Sequence, residues 1–247
     1  MKWAVLVFGS RARLPNNLKN LWRAMQLHEF WQILSPLSGT PKDGPFTGYY
    51  PAPIDEDTEL RLPIRVLPDG EHALCSLIVN QASFTVVDAL ALRLADHLAR
   101  FRPEVIIGLP TLGLTLADAV ARRLGHTRYI ACGTSRQFWY EDSLSVPVAS
   151  VTTPDEKRLY LDPRMLPLLA GRRVVLIDDV ISTGRSIVAG LALLRAAGIE
   201  PVAIGCAMVQ SLRWRQHGEL VRLEDRLASV IASPRLRLSS AGWVPEE

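Results

Sequence analysis

The sequence predicts an α/β fold: a doubly wound, mostly parallel sheet with helices on both faces, a β-hairpin lid and an N-terminal extension. Three observations predict it. Apolar runs of strand length alternate with helix-period segments between residues 71 and 217. One run, residues 174–177 (VVLI), is apolar at every position, as a strand buried on both faces is. Two small-residue turns, at 108–113 and 182–186, each lead from such a run into a helical pattern.

Residues 1–70 are the least regular part. Residues 3–8 suit a strand, and 18–34, with Leu21, Trp22, Met25 and Trp31, suit a helix. Prolines 36, 41, 45, 51, 53, 63 and 68 then predict an irregular segment. From residue 71 the order sharpens. Residues 73–79 form a strand, and 84–101 a helix through Val87, Leu90, Ala91, Leu94, Leu98 and Phe101, stopped by Pro103. EVIIG at 104–108 is a strand, 114–124 a helix stopped by Gly125, and 128–132 a strand. The 174–177 strand is followed by a helix with Ile187, Leu191 and Leu194 on one face, closed by Gly198, and 201–209 completes the sheet. Residues 218–247 are expected to be peripheral.

Composition agrees with a folded protein free of specialised chemistry. Of 247 residues, 48% are hydrophobic and 21% charged, ordinary values for a globular chain, and a net charge of +3 is too small to argue for nucleic acid. Lys2, Arg11, Arg13, Lys19 and Arg23 precede the first acid, Glu29, but no recognition motif accompanies this basic end. Cys75, Cys132 and Cys206 lack pair spacing and lie in apolar segments, so they read as buried thiols in a reducing compartment. The five histidines are scattered. No apolar run is long enough for a signal-peptide core or a membrane span, which makes the cytoplasm the expected compartment.

The chemistry gathers at residues 174–186, VVLIDDVISTGRS. Asp178 and Asp179 end the strand run at the edge where open α/β sheets bind ligands, and adjacent carboxylates accept hydrogen bonds from a sugar diol. Ser182, Thr183, Gly184, Arg185 and Ser186 follow as a hydroxyl-rich turn opening a helix, a geometry that aims backbone N–H groups at a phosphate. Diol-binding acids next to a phosphate cradle describe a ribose 5-phosphate site. No Gly-Lys-Ser/Thr follows the glycine, so the turn is not a Walker A loop.

These thirteen residues resemble the phosphoribosyl-pyrophosphate (PRPP) motif of type I phosphoribosyltransferases, and the resemblance extends over roughly residues 71–215. It implies a Mg²⁺-dependent transfer of the 5-phosphoribosyl group from PRPP to a nitrogenous base, with release of pyrophosphate. Asp178 and Asp179 would hold the ribose hydroxyls directly or through Mg²⁺, which would otherwise be held by substrate and water. The 182–186 turn would hold the 5-phosphate, and Thr111, Leu112 and Gly113 the pyrophosphate, although an apolar Leu112 departs from the charged or small residue of many relatives.

Residues 133–165 separate two strands by more than ordinary loop lengths and resemble the catalytic lid of adenine-type and related purine enzymes, with 144–152 and 157–161 as its hairpin strands. Arg136 matches the basic residue that opens that lid and would reach the pyrophosphate on closure. Phe138, Trp139, Val180 and Ile181 are the candidate base pocket, with Tyr140 and Met208 as further contributors. The lid favours a purine, of adenine type, over orotate. The family resemblance also implies a homodimer, a core at 71–217, and a hood over the base built from residues 1–70, with Trp22, Trp31, Tyr49 and Tyr50 available to it. Neither a membrane nor nucleic acid is an expected partner of the enzyme. Two alternatives share the motif: a PRPP-sensing regulator that binds nucleic acid, and a non-catalytic PRPP-binding subunit.

Overall fold

Alternating apolar residues in the N-terminal segment build a sheet that the prolines had disguised. The computed structural model describes residues 26–148 and 157–246. The strand expected at 3–8, and Trp22, lie outside these residues. The described part of the helix expected at 18–34 is only a short 3₁₀ turn, Leu27–Glu29, because Trp31 turns the chain at φ 62°. Four strands follow: β1 (Ser35–Pro36), β2 (Tyr49–Pro53), β3 (Thr58–Val66) and β4 (His72–Cys75). Leu60, Leu62 and Ile64 alternate along β3 and are buried, while Pro51 and Pro53 sit on β2, which pairs only with β3 and can lack two ladder donors. The segment is therefore regular where an irregular one was expected.

The remaining elements alternate as predicted. They are α1 (Phe84–Ala99), β5 (Val105–Gly108), α2 (Gly113–Arg123), β6 (Ile130–Ala131), β7 (Ser145–Pro147), β8 (Arg158–Tyr160), α3 (Leu166–Leu169), β9 (Val174–Ile181), α4 (Arg185–Ala196), β10 (Ala203–Gln210), α5 (Gly218–Val221), β11 (Leu227–Ser233), β12 (Arg235–Ser239) and β13 (Gly242–Pro245). The Ser83 hydroxyl caps α1 by accepting from the Val86 amide at 3.3 Å.

A five-stranded sheet in the order β11-β10-β9-β5-β6 is parallel throughout. Leu90, Leu94 and Leu98 of α1 and Leu116 and Val120 of α2 cover one face with Val175 and Ile177 of β9. Ile187, Leu191 and Leu194 of α4 cover the other with Val174 and Leu176, so the sheet is doubly wound. Strands β7 and β8 pair antiparallel, as the hairpin reading expected, and Leu144, Leu159 and Leu161 anchor its base beside α4.

Two expectations change. The strand expected at 73–79 is shorter and belongs to the antiparallel sheet β1-β3-β4-β12-β13, with β2 on β3. Residues 218–247, expected to be peripheral, supply an edge strand of the parallel sheet and two strands of the antiparallel one. The reason is apolar burial: Ile231, Leu236 and Trp243 join the same core as Leu60, Leu90 and Leu116. Trp243 also exchanges backbone hydrogen bonds of 2.7 Å with Phe46. Trp243→Ala is thus expected to cost about 3–5 kcal/mol and to lower Tm by roughly 10 °C in a circular-dichroism melt, whereas an unchanged Tm would place this tail outside the core.

Candidate active site

Six apolar residues of β9 flank two buried acids, Asp178 at 5% exposure and Asp179 at 8%. The strand does not end at the acids, as the sequence had suggested. It runs on to Ile181, still paired with β10. The usual alternation of faces slips there: Val180 packs with Val175 and Ile177 toward α1 and α2, and Ile181 joins Val174 and Leu176 on the opposite side. In β10, Ala207 and Met208 both belong to the α1 side, so the two strands slip together and keep their register. The Asp179 amide donates to Asp178 Oδ1 at 3.0 Å. Burial first, and the neighbouring carboxylate second, push Asp178 well above the usual carboxylate range, and burial pushes Asp179 up as well.

The turn after β5 meets this pair directly. The Leu109 amide donates to the Ile177 carbonyl at 2.8 Å, the Pro110–Thr111 peptide is cis, and Leu112 leads into α2. Gly113, the first residue of α2, lies so close to β9 that a Cβ there would stand 2.8 Å from Asp178 Cα and 2.9 Å from Oδ1. Only glycine lets the helix N-terminus approach the acids this closely. Thr111 is exposed, Leu112 half-buried and Gly113 buried.

The second turn leaves β9 after Ile181. Gly184 stands at φ 82°, immediately before α4, and a Cβ there would fall 2.5 Å from Leu220 and 3.4 Å from Trp214. Its side-chain-free, left-handed conformation is required twice over. Ser182 and Thr183 are half-buried, and Arg185 and Ser186 are exposed on the first turn of α4.

The lid residues contact one another. Arg136 pairs with Asp142 at 3.1 Å. Phe138 is 96% exposed and meets Trp139 edge to face. Trp139 donates to Asp162 at 3.4 Å and lies beneath the Arg164 guanidinium, 4.5 Å from the ring centroid. The Arg164 guanidinium holds the Asp162 carboxyl down to about 2. Of the base-pocket candidates on β9, Val180 is half-buried and Ile181 is 1% exposed. Of the aromatics considered for a hood, Trp31 is buried in the core and Tyr50 lines a cavity of about 450 Å³ beside Phe46, Glu59 and Ala232.

Arg213 was not singled out by sequence reasoning. It donates to Ser182 Oγ, on the 182–186 turn, at 2.7 Å. Its signal was its place, three residues past the end of β10, in the stretch VQSLRWR that resembles the corresponding strand end of adenine-type enzymes.

A family model described as phosphoribosyl transferase domain matches residues 76–225. The chain belongs to this family. By that membership it is a phosphoribosyltransferase, a transferase of pentosyl groups. It is 30% identical over 172 residues to the adenine phosphoribosyltransferase of Albidiferax ferrireducens, spanning 66% of this chain and 83% of that protein. It is 31% identical over 120 residues to the bifunctional protein PyrR of Streptococcus sanguinis, spanning 47% of this chain and 59% of that protein. The crystal structure of the Giardia lamblia adenine enzyme with 9-deazaadenine superposes with a TM-score of 0.56 at 19% identity, over 70% of this chain and 93% of the other. That likeness confirms the type I phosphoribosyltransferase fold.

The buried acid pair makes this phosphoribosyltransferase pH-sensitive in a defined direction. Between the ordinary aspartate value of 3.8 and its raised native one, Asp178 holds more proton in the folded chain than in the unfolded one, so stability falls as pH rises across that window. Asp178→Asn is expected to raise Tm of the ligand-free, chelator-treated protein by about 3 °C near neutral pH, ~1 kcal/mol. The gain should shrink toward pH 4 in a fluorimetric melt series; a gain independent of pH would contradict the assignment.

Proposed function

We propose that this phosphoribosyltransferase joins a purine base, of adenine type, to C1 of PRPP and releases pyrophosphate. The observation that supports it most is the close approach of Gly113 to Asp178, which brings the 109–113 turn against the acid pair, while β9 leads from that pair into the 182–186 turn. Such a row fits pyrophosphate, ribose and 5-phosphate in the order in which PRPP carries them. Adenine-named relatives support the choice of base.

In this reading the base nitrogen attacks C1 as the C1–O bond to pyrophosphate breaks, the electron pair leaves with the pyrophosphate, and the proton lost by the base passes to the pyrophosphate or to solvent. The chain's work is to position both reactants and meet developing charge. Asp178 and Asp179 hold the ribose hydroxyls. Main-chain amides and hydroxyls of residues 182–186 hold the 5-phosphate, and the backbone of Thr111, Leu112 and Gly113 holds the pyrophosphate. Val180, Ile181, Phe138 and Trp139 contribute to the base pocket. Arg136 exchanges Asp142 for the pyrophosphate as the lid closes and shields C1 from water. The donor set also fits Mg²⁺: two adjacent carboxylates suit a hard cation that keeps much of its coordination from substrate and water. Bound there, the ion would neutralise charge on pyrophosphate and ribose oxygens. A homodimer in the cytoplasm completes the proposal. The dimer is what the family resemblance implies, and the three buried free thiols fit a reducing compartment.

Relatives named bifunctional protein PyrR favour a second reading, a PRPP-sensing regulator that binds nucleic acid. Calorimetry with PRPP and Mg²⁺, followed by a pyrophosphate-release screen over adenine, guanine, hypoxanthine, xanthine and orotate, separates the two. Release with adenine is expected. PRPP binding without release for any base would favour the regulator, and no PRPP binding would remove both. In the active enzyme, Arg136→Gln is expected to lower kcat on the order of 10²-fold while Tm stays unchanged, because its present ion pair is exposed. An undiminished kcat would remove Arg136 from the reaction.

A further inference from the structure

We infer that Arg213 is a positioning residue for the 5-phosphate, acting through Ser182; this rests on the PRPP reading of the site. Arg213 Nη2 lies 2.7 Å from Ser182 Oγ. A guanidinium can only donate, so Ser182 Oγ is the acceptor in this bond. The hydroxyl's own proton is then left for another acceptor. At the first residue of a turn that opens a helix N-terminus, the acceptor such geometry serves is a phosphate oxygen. Arg213 thereby turns an ambivalent hydroxyl into an oriented donor and adds a positive charge behind it.

Three further observations show that the guanidinium is held for this purpose. Ser211 stands at φ 62°, a left-handed conformation that serine adopts rarely, and it is 4% exposed. Strain of this kind persists where the surroundings impose it and clusters at ligand clamps. Here the Ser211 amide is fixed by the Ser233 carbonyl at 2.7 Å, and its hydroxyl accepts from both the backbone N and the Nε of Arg213 at 3.3 Å. Trp214, the next residue, is 3% exposed and packs against Gly184 of the same turn. Among the described residues no carboxylate pairs with Arg213, whereas Arg195, Arg215 and Arg226 nearby in sequence each pair with a glutamate. The charge of Arg213 is therefore unspent, and a phosphate monoester dianion is its natural complement.

Titration calorimetry with ribose 5-phosphate and with PRPP plus Mg²⁺ tests this on Arg213→Gln, Arg213→Lys, Ser182→Ala and the Ser182→Ala/Arg213→Gln double variant. Arg213→Gln is expected to weaken both ligands about tenfold, 1.4 kcal/mol, and to raise KM for PRPP in proportion with little change in kcat. Arg213→Lys, which keeps charge and donor, recovers most of the affinity, and the double variant is no weaker than Ser182→Ala alone. Unchanged affinity in Arg213→Gln, or losses that add fully in the double variant, would overturn the inference while leaving the PRPP site intact. Equal losses in the glutamine and lysine variants with a matching fall in Tm would make Arg213 a structural residue and overturn it too. Wild-type protein that binds neither probe would overturn the site reading itself.

Discussion

Two carboxylates buried side by side in an apolar strand are the constraint around which this molecule is arranged. Removing an ionised carboxylate from water costs several kcal/mol unless partners replace the lost hydration. The amide of Asp179 donates to Asp178 Oδ1, and the start of α2 at Gly113 brings backbone against it. Among the described residues no cation pairs with either acid, so hydrogen bonds alone offset their burial. A buried acid pair of this kind is a liability to stability for as long as no counter-charge stands beside it. The matched slip in β9 and β10 belongs to the same arrangement, since it keeps the strands in register while a polar pair sits where two apolar faces would otherwise continue.

What could be read from the sequence follows from how local the causes are. The strands and helices between residues 84 and 210 are set by short-range periodicity and by glycine stops, and the structure has them within a few residues. The two turns are local as well, since each is a strand end, a glycine and a helix start. The antiparallel sheet was hidden because Pro36, Pro51 and Pro53 lie on its edge strands β1 and β2, where a missing donor is harmless, because Pro63 interrupts the pattern of the interior strand β3, and because its partners come from residues 35–75 and 235–245. Pairing across so long a stretch leaves no periodic trace. The strand's passage through Asp178 and Asp179 was hidden for a related reason. Polar residues usually end a buried strand, and only the contacts of β9 with β10 show that this one continues. Arg213 could not be placed from sequence, because its partner Ser182 is 31 residues away.

The 182–186 turn shows how the C-terminal segment and the candidate site depend on each other. Gly184 can take its left-handed conformation with Leu220 and Trp214 packed against it only because it has no side chain, and those two residues are themselves buried. The turn is therefore shaped from below by residues 213–220, while β11, immediately after them, closes the edge of the parallel sheet. Its rigidity comes from the core and owes little to bonds within the turn. In a turn built on such a support, the ordering entropy that a flexible loop would lose on meeting a ligand has already been lost in folding.

The lid is held by a different kind of force. Its hairpin is anchored by Leu144, Leu159 and Leu161, but the residues it presents outward rely on the exposed Arg136–Asp142 pair and on the stacking of Trp139 with Arg164. Exposed ion pairs contribute about 0–1 kcal/mol, and a cation over an exposed ring contributes ~0.5–1 kcal/mol. Contacts of that size are readily exchanged for others, whereas the leucine anchor is not. The physical contrast assigns the two parts of the insertion different tasks: a base that stays fixed to the sheet, and a polar tip whose partners can be exchanged. Arg136 lies on the exchangeable side, eight residues before the first of the anchoring leucines. An exchange of its partner would therefore need no rearrangement of the core or of the acid pair.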